Sequence, residues 1–385
     1  MKSLLSTLLL LVTVLSVNAR PVVPLTEIKA KSAQGLRLLS LAEDAAPVWK
    51  TESEVLELIR GGTNFFDVTD TYEIEQKLVA NAANAKVAAD AAIAAFPTPS
   101  NTAAVKAILA TMTTSNMQTN LNALTAFNNR YYTSTTGVQA STWILNKVKE
   151  IASTYGRSDI EASLFTHSWA QSSIIARIPG SDPSLPRVLL GAHMDSINLS
   201  NPSSGRAPGA DDDGTGTVNL IEAYRALLQS GFKPKNTVEF QWYSAEEVGL
   251  RGSQAIATSY KNSGVQIKAH YQIDMTGYYK PGTAEVMALA PDYIDSSLNE
   301  FMKLLITAYA RIPWAMDKAC GYACSDHASF YKVGYPTTYP FEAVTGNDNP
   351  YIHSASDTSS VSGFSWTHSL EFAKIAAAFA YELAI

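Results

Sequence analysis

The stretch VEFQWYSAEEVGLRGSQAIATSY, residues 238–260, decides the fold of this chain. Residues 238–243 are rich in apolar side chains and alternate with polar ones, which predicts a strand. Residues 250–260 have the spacing of an amphipathic helix. Between them stand Glu246 and Glu247, two adjacent carboxylates at the point where the strand ends. A strand that leads into a helix through a polar turn is one unit of an α/β fold.

The same alternation of strand and helix extends on both sides of this stretch. Apolar runs predict further strands at 187–192, 270–274 and 284–290, and helical periodicity predicts helices at 216–229, 293–310 and 366–384. This order predicts an α/β fold, a sandwich with a mostly parallel central sheet. In open sheets of this kind, ligands bind at the carboxyl ends of the strands.

The composition of the 385 residues is that of a globular protein. Hydrophobic residues make up 46% and charged residues 17% of the chain, which provides enough apolar side chain for a sizeable core. The length fits one large α/β domain together with a processed segment. The formal net charge is −6 and basic residues do not cluster, so we expect no nucleic acid partner.

The first 19 residues have the layout of a secretory signal peptide. Lys2 precedes an apolar run at residues 4–17, and Ala19 supplies a small residue at the cleavage position. The run is shorter than the ~20 residues that a membrane-spanning helix needs, so signal cleavage is favoured over a membrane anchor. We therefore expect a secreted, extracellular protein with no membrane contact after signal cleavage.

Residues 20–95 differ from the rest of the chain. They contain helical patterns, around Leu56 and in the Ala-rich stretch 78–95, but few strand signals. The sequence FPTPS at 96–100 stops helices and exposes backbone, which is typical of a linker or a processing site. We interpret 20–95 as a propeptide and 96–385 as the main domain. The alternative is a helical subdomain that the mature protein retains.

The cysteines of the chain are Cys320 and Cys324. In an oxidising compartment each has a single partner, so we expect a disulfide that closes a very short loop, with two free thiols as the alternative. Such a loop gains little stability from chain entropy, so the bond would serve local geometry. Asn198 begins the sequence Asn-Leu-Ser, which is a candidate glycosylation site.

Histidine and aspartate motifs stand at the ends of the predicted strands. His193 can bind a metal ion, and Asp195, two residues further on, can orient its other ring nitrogen. Residues 211–213 are three aspartates, of which one could bridge two metal ions while the others cap the following helix. Taken alone, a single histidine is more often a packed core residue, and an acidic triplet is more often a solvated helix start.

Glu246 and Glu247 repel each other unless a cation or a proton lies between them. In one arrangement Glu247 binds a metal ion while Glu246 takes a proton from a metal-bound water. The alternative is an acidic helix start. Asp274 follows another apolar strand, and His353 lies in a loop before the last helix. The histidines in these motifs provide one for each of two metal ions.

Together the motifs closely resemble those of the M28 metallopeptidases, in particular the secreted leucyl-type aminopeptidases of bacteria and fungi. The resemblance covers about residues 100–385 and includes FNNRYY at 127–132 and CGYACSDH at 320–327. It implies the zinc-dependent exopeptidase fold, a three-layer sandwich in which helices flank a mixed, mostly parallel sheet. It also implies that 96–385 is a catalytic metallopeptidase domain with two zinc ions.

The resemblance assigns the metal ligands residue by residue. His193 and Asp274 would bind one zinc ion, and Glu247 and His353 would bind the other. Asp212 would bridge the two ions, and a cis peptide bond would follow it.

The resemblance also assigns the remaining catalytic roles. Asp195 would orient the ligand histidine, Glu246 would be the general base, and Tyr322 would donate to the substrate carbonyl oxygen. A disulfide between Cys320 and Cys324 would hold Tyr322 in place. The substrate pocket would be apolar, lined by Tyr322 together with Met275, Cys320, Cys324, Phe341 and Ile352.

By the same resemblance, the reaction is hydrolysis of the N-terminal, preferably Leu-like, residue of a peptide or protein. Segment 20–95 resembles the pro-regions of fungal relatives and would assist folding or block the cleft until it is removed. We expect a monomer. The alternatives are a glutaminyl cyclase with one working zinc ion, a metal-dependent carboxypeptidase and a catalytically silent ectodomain.

Overall fold

The structure, a computed structural model, describes residues 22–43, 45–77 and 96–385. The expected signal peptide at 1–19 and the Ala-rich stretch 78–95 lie outside these residues. The main domain is the predicted α/β sandwich, with helices on both faces of a mixed central sheet. Among the described residues, no helix is both long enough and apolar enough to span a bilayer.

Strands and helices are numbered along the chain. The strands are β1 (Arg37–Ser40), β2 (Val48–Lys50), β3 (Phe66–Asp67), β4 (Glu161–Phe165), β5 (Ser173–Ile178), β6 (Arg187–His193), β7 (Val238–Tyr243), β8 (Ile267–Gln272), β9 (Met287–Leu289), β10 (Trp314–Met316), β11 (Thr337–Thr338) and β12 (Pro340–Phe341). The α-helices are α1 (Leu25–Ser32), α2 (Glu52–Arg60), α3 (Thr102–Leu109), α4 (Thr114–Ala126), α5 (Thr135–Thr154), α6 (Gly216–Gln229), α7 (Arg251–Asn262), α8 (Ser296–Tyr309), α9 (His327–Lys332) and α10 (Trp366–Ala384). A π-helical turn, Ala210–Thr215, precedes α6, and residues 72–77 are also helical.

The central sheet has the strand order β11-β8-β6-β7-β5-β4. Strands β11, β8, β6 and β7 are parallel, whereas β5 and β4 are antiparallel to their neighbours. Because β6 and β7 pair up to His193 and Tyr243, these two strands end at the same level. Both are buried along nearly their whole length, which explains their apolar runs.

Two apolar layers cover this sheet. On one face, α6 and α10 pack against β6 and against each other, and α3, α4, α5 and α8 extend the same core. On the other face, α7 packs with α9 over Leu189 and Tyr243. The sequence analysis predicted α6, α7, α8 and α10, but not α3 to α5, β4 or β5. Strands β8 and β9 were predicted at 270–274 and 284–290, so β8 begins and ends earlier and β9 is shorter than expected.

Segment 22–77 contains more β-structure than we expected from the sequence. Strand β1 pairs antiparallel with β2 and with β3, although the sequence showed few strand signals here. These strands are two to four residues long, too short for an alternating pattern to be recognised. Helix α2 is present where the sequence predicted it, and Thr51 and Glu54 form a capping box at its start.

The first residues of the main domain are fixed to its last helix. Glu382 of α10 accepts hydrogen bonds from the backbone amides of Ser100 at 3.1 Å and Asn101 at 2.9 Å. Phe96 packs against Phe301 of α8. Backbone amides just before β7 donate to the last turn of α10. This attachment therefore lies at the edge of the sheet where β7 begins, opposite the carboxyl ends of the parallel strands.

Candidate metal centre

The carboxyl ends of three neighbouring parallel strands bring polar side chains together. His193 is the last residue of β6, Glu247 follows β7, and Asp274 follows β8. Asp212 lies in the π-helical turn before α6, and His353 lies in the loop before α10. The structure thus places all five predicted ligands at one edge of the sheet.

The five side chains form two donor sets that share Asp212. In the first set, His193 Nε2 lies 3.1 Å from Asp212 Oδ1 and 3.4 Å from Asp274 Oδ1. In the second set, His353 Nε2 lies 3.1 Å from Asp212 Oδ2 and 3.0 Å from Glu247 Oε2. The two oxygens of one carboxylate belong to two separate sets, as a bridging ligand requires.

These donor sets fit two zinc ions. Ligands about 2.0–2.1 Å from a tetrahedral zinc ion are about 3.3–3.4 Å from one another. The separations found here, 3.0–3.4 Å, are close to that value. His193 Nε2 and Asp274 Oδ1 are buried and have no hydrogen-bond partner among the described residues. A shared cation would satisfy both atoms, because zinc binds imidazole and carboxylate in catalytic sites.

Asp195 holds the turn that carries the two glutamates. Its Oδ1 accepts a hydrogen bond from the backbone N–H of Glu246 at 3.1 Å, and its Oδ2 accepts one from Glu247 at 3.3 Å. Its predicted contact with His193 Nδ1 is longer, 3.5 Å. Asp195 therefore ties the end of β6 to the end of β7, and Glu246 lines a cavity beside both donor sets.

Two further side chains position the ligands and were not predicted. Ser325 donates to Asp274 Oδ2 at 2.6 Å, and Asp357 accepts hydrogen bonds from the backbone amides of Asp211 and Asp212 at 3.1 Å each. Both side chains are buried. Ser325 stands within the block CGYACSDH at 320–327, and Asp357 stands four residues after the predicted ligand His353. Their partners are distant in the sequence, so spacing alone could not reveal the contacts.

Several backbone positions of the site are strained. Ala245, Met275 and His353 have φ values of 61°, 54° and 56°, in the left-handed region that side chains disfavour. One of these residues is a predicted ligand, and the others stand within two residues of one. Such conformations persist only where the surrounding structure imposes them, which is common at functional sites. The expected cis peptide bond after Asp212 is also present.

Burial raises the pKa values of both glutamates. Burial raises the pKa of Glu246 well above its ordinary value, although the nearby His193 opposes the shift. Burial and the negative charge of Asp212 raise the pKa of Glu247 to about 7. A carboxyl group whose pKa is raised towards neutrality can take up and release a proton at physiological pH, which general acid–base catalysis requires.

A cavity of about 580 Å³ opens onto both donor sets. The expected disulfide is formed in its wall. The wall contains the predicted pocket residues Met275, Cys320, Cys324, Phe341 and Ile352. Residues of the N-terminal segment between positions 59 and 65 also line the cavity.

Tyr322, the predicted carbonyl donor, is not among the side chains that line this cavity. Its hydroxyl lies 2.8 Å from Ser40 Oγ, and its ring packs against that of Phe66 with 5.1 Å between the centroids. Both partners belong to the N-terminal segment. The structure therefore brings the ligands and Glu246 together but holds Tyr322 against this segment.

The fold, together with the candidate metal-binding groups at the carboxyl ends of its strands, places the protein among the metal-dependent hydrolases. Sequence comparison narrows this class. The profile of Peptidase family M28 matches residues 173–380, and the chain belongs to this family.

Leucine aminopeptidase 1 of Blastomyces gilchristii is 43% identical over 87% of this chain and 86% of its own length. The Leucine aminopeptidase 1 of Paracoccidioides brasiliensis is 41% identical over 96% of this chain and 95% of its own length.

Solved structures share the fold. The LapA aminopeptidase of Legionella pneumophila has a TM-score of 0.77 and 31% identity, and the match covers 93% of this chain and 96% of that chain. LapB of the same organism has a TM-score of 0.78 and 28% identity, covering 94% and 98%. A glutaminyl cyclase of Fimbriiglobus ruber has a TM-score of 0.54 and 13% identity over 71% of this chain, which shows the fold alone. The cyclase alternative is therefore not favoured.

Proposed function

We propose that the protein is a secreted aminopeptidase that uses two zinc ions to remove the N-terminal, preferably apolar, residue of a peptide. Peptide hydrolysis follows from membership of family M28. Similarity to leucine aminopeptidases over most of the chain supports the preference for a free N terminus. The observation that carries the proposal is that Asp212 joins two donor sets beside Glu246 in a cavity with apolar walls.

In the proposed reaction, Glu246 moves the proton. Two zinc ions held by the donor sets would polarise the scissile carbonyl group and favour ionisation of a water molecule. Glu246 accepts a proton from the attacking water and later gives it to the leaving amine. The raised pKa of Glu246, caused first by its burial, suits this role. Tyr322 would donate to the carbonyl oxygen after its hydroxyl separates from Ser40.

The cavity suits a free amine and an apolar side chain. Met275, Phe341 and Ile352 give its wall an apolar surface, on which a Leu-like side chain can be buried. Glu246 lines the same cavity and belongs to neither donor set, so its carboxylate adds negative charge beside the metal centre. That charge would attract the protonated α-amine of a substrate, and an acylated amine would lose the attraction.

Hydrolysis of leucine p-nitroanilide by the processed protein tests this proposal. We expect cleavage of the free-amine compound but not of its N-acetyl form, loss of cleavage on chelation, and recovery with zinc. Glu246→Ala should abolish turnover while the protein still binds two zinc ions, counted by elemental analysis. The control is Glu300→Ala, because Glu300 is an exposed residue of α8 and should not affect catalysis.

Two results would contradict the aminopeptidase proposal. One is equal cleavage of the acetylated compound. The other is a fully metallated protein without activity towards any free-amine substrate, which would instead indicate a cyclase or a silent binding protein.

We further propose that residues 20–95 are a propeptide that keeps the enzyme inactive. The described part of this segment, 22–77, forms one wall of the cavity and holds Tyr322 through Ser40 and Phe66. A peptide substrate would therefore have less room in the cleft, and the carbonyl donor would be engaged elsewhere. Both effects predict slow turnover before processing.

Contacts next to the Glu246–Glu247 turn attach this segment. The backbone N–H of Asp67 donates to the carbonyl of Gly249 at 3.0 Å. Gly249 has a φ of 104°, and a Cβ added there would lie 2.7 Å from the Asp67 nitrogen, so only glycine permits this approach. Arg251 Nη2 lies 2.8 Å from Asp70 Oδ2. The segment is thus attached directly beside the proposed base.

Comparison of the full-length protein with a form that starts near Phe96 tests the inhibitory role. We expect the full-length protein to have at least about tenfold lower activity. This corresponds to ~1.4 kcal/mol in favour of the state in which the N-terminal segment lies on the cavity and holds Tyr322. Cleavage within 96–100 should restore the activity. Equal activity of the two forms would contradict inhibition and leave a role in folding.

Secretion, glycosylation and a monomeric state remain proposals. Asn198 Nδ2, the atom that would carry a glycan, donates to the carbonyl of Arg206 at 2.8 Å, and after attachment a single N–H would be left to make this bond. N-terminal sequencing and mass spectrometry of protein recovered from culture medium would test cleavage after residue 19 and a glycan at Asn198. Light scattering would test the monomer.

A further inference from the structure

The block FNNRYY at 127–132 has no part in the proposed chemistry, yet it contacts the metal centre. It lies between α4 and α5, and its Arg130 is buried, with 1% of its surface exposed. Burying a guanidinium ion is costly unless its donors are satisfied. The contacts of Arg130 therefore show what the cation does in the interior.

The guanidinium group of Arg130 joins two segments that carry metal ligands. Its Nε donates to the carbonyl of Met194 at 2.7 Å, its Nη2 donates to that of Gly209 at 2.8 Å, and its Nη1 donates to that of Pro208. Met194 directly follows the ligand histidine at the end of β6. Pro208 and Gly209 lead into the turn that carries the bridging aspartate. One rigid side chain thus spans both segments.

The position of Arg130 is fixed from several sides. Its backbone N–H donates to Ser196 Oγ at 3.0 Å, and the side chain of Gln171 donates to its carbonyl at 3.0 Å. Gly209 has a φ of 51°, and a Cβ added there would lie 2.8 Å from Arg130 Nη2. The arginine therefore packs onto bare backbone at position 209, where a Cβ would also lie 2.5 Å from Ser196 Cβ and 2.6 Å from the carbonyl oxygen of Asp212.

Charge alone does not explain an arginine at this place. Burial lowers the pKa of Arg130, and the carboxylates nearby, Asp357 first among them, oppose that shift. A positive charge beside a cation site weakens cation binding by repulsion. The contribution that favours metal binding must then come from geometry, through the planar fork of N–H donors that lysine lacks.

We infer that Arg130 is a positioning residue for the metal pair, because it fixes the end of β6 relative to the turn before α6. His193 and Asp212, one on each segment, can then meet in one donor set. The inference rests on the proposed metal centre. It concerns metal affinity and not a step of the reaction.

Zinc binding to the metal-free, processed protein tests the inference. Arg130→Lys keeps the charge but loses the fork, and Arg130→Met loses both. We expect both variants to bind zinc at one or both sites about 10- to 100-fold more weakly, the usual cost of losing a group that orients ligands. The visible spectrum of the cobalt-substituted protein should also change.

Arg206→Lys is the matched control. Arg206 donates to the backbone carbonyl groups of Thr125, Phe127 and Asn128, and among the described residues its side chain has no hydrogen bond to either ligand segment. This variant should bind zinc and cobalt as the parent protein does.

Several outcomes separate the inference from its rivals. A merely structural role would lower the melting temperature but leave zinc affinity, measured well below that temperature, at the parent value, and this would overturn the inference. Parent-like affinity of Arg130→Lys would overturn it too, because the planar fork of N–H donors would then not be needed. If the Arg130 variants do not fold, Ser196→Ala, which removes the hydroxyl that accepts from the backbone N–H of Arg130, should still weaken zinc binding, and normal affinity would refute the inference. A parent protein that binds fewer than two zinc ions would instead refute the proposed function.

Discussion

The proposed metal centre and the surface that contacts the N-terminal segment are built in different ways. At the metal centre, buried carboxylates such as Asp195 and Asp357 hold the ligand segments by hydrogen bonds to backbone amides. At the segment's contact surface, pairs of side chains such as Ser40–Tyr322 and Asp70–Arg251 provide polar contacts, beside one backbone bond from Asp67 to Gly249. The side-chain pairs that hold the segment can be broken without moving a predicted metal ligand.

This difference divides the proposed reaction into two parts. Metal binding and proton transfer depend on the buried contacts, which remain when the N-terminal segment is removed. Donation by Tyr322 depends on contacts that the segment controls. Loss of the first part should therefore be equally severe in full-length and processed protein, whereas the second part should differ between the two forms.

The largest expected effect comes from a change to proton transfer, which belongs to the part of the reaction that depends on buried contacts. Glu246→Gln removes the group that accepts the proton but preserves its size, so kcat of the processed protein should fall by about 10²- to 10⁴-fold. Zinc content and melting temperature should stay near the parent values. Kinetics with leucine p-nitroanilide and zinc analysis would check this. A large loss of zinc would show that Glu246 also binds metal.

The next effect, of a change at Tyr322, should differ between the processed and the full-length protein. Tyr322→Phe should lower kcat of the processed protein by roughly 10²- to 10³-fold, the cost of losing one donor to the developing negative charge. In the full-length protein the relative loss should be much smaller, because there the hydroxyl is bonded to Ser40. The same relative loss in both forms would show that the segment does not sequester Tyr322.

A smaller effect is expected from the ion pairs of the segment. Although burial opposes it, Arg251 and Arg37 lower the pKa of Asp70 to about 2, so the pairs persist in mild acid. Asp70→Asn should raise the activity of the full-length protein roughly fivefold, for the ~1 kcal/mol of a partly exposed ion pair. Removal of the segment yields an identical chain from parent and variant, so the processed forms serve as the control. An unchanged full-length activity would show that these pairs do not hold the segment.

The smallest expected effect is a pH dependence of the metal-free protein. Glu247 has a raised pKa of about 7 in the folded state, caused first by burial. Its protonation stabilises the fold below the ordinary pKa of glutamate, and this contribution is lost as pH rises through about 7. The metal-free protein should therefore melt a few degrees lower at about pH 8 than at about pH 6. Zinc should abolish this trend, because the ion replaces the proton on Glu247. Calorimetry of the metal-free and the zinc-bound protein at both pH values would check this. The same fall in melting temperature in both forms would contradict the prediction.

The buried strands and the candidate ligands at their ends were also easier to predict from the sequence than the contact surface of the N-terminal segment. Strands β6 and β7 are long apolar runs, and His193 and Glu247 stand directly at their ends, so the pattern revealed both the fold and the candidate site. The choice of Asp212 among three aspartates needed the family resemblance, because each is equally polar. Spacing could not have made that choice.

The remaining contacts have no local signal in the sequence. Ser40 is one serine among many, and its partner Tyr322 is 282 residues away. Strands β1 to β3 are too short to show a period. Ser325 and Arg130 stand in blocks that the resemblance had marked, but their roles come from tertiary contacts that only the folded chain brings together.

An enzyme that shortens chains from the N terminus has a potential substrate in its own chain. After processing near Phe96, residues ahead of Ser100 would be open to self-trimming. The amides of Ser100 and Asn101 are bonded to Glu382, at the opposite edge of the sheet from the metal centre. A terminus attached there cannot extend into the active site of its own chain. This single carboxylate would therefore limit self-digestion and define the final length of the mature chain.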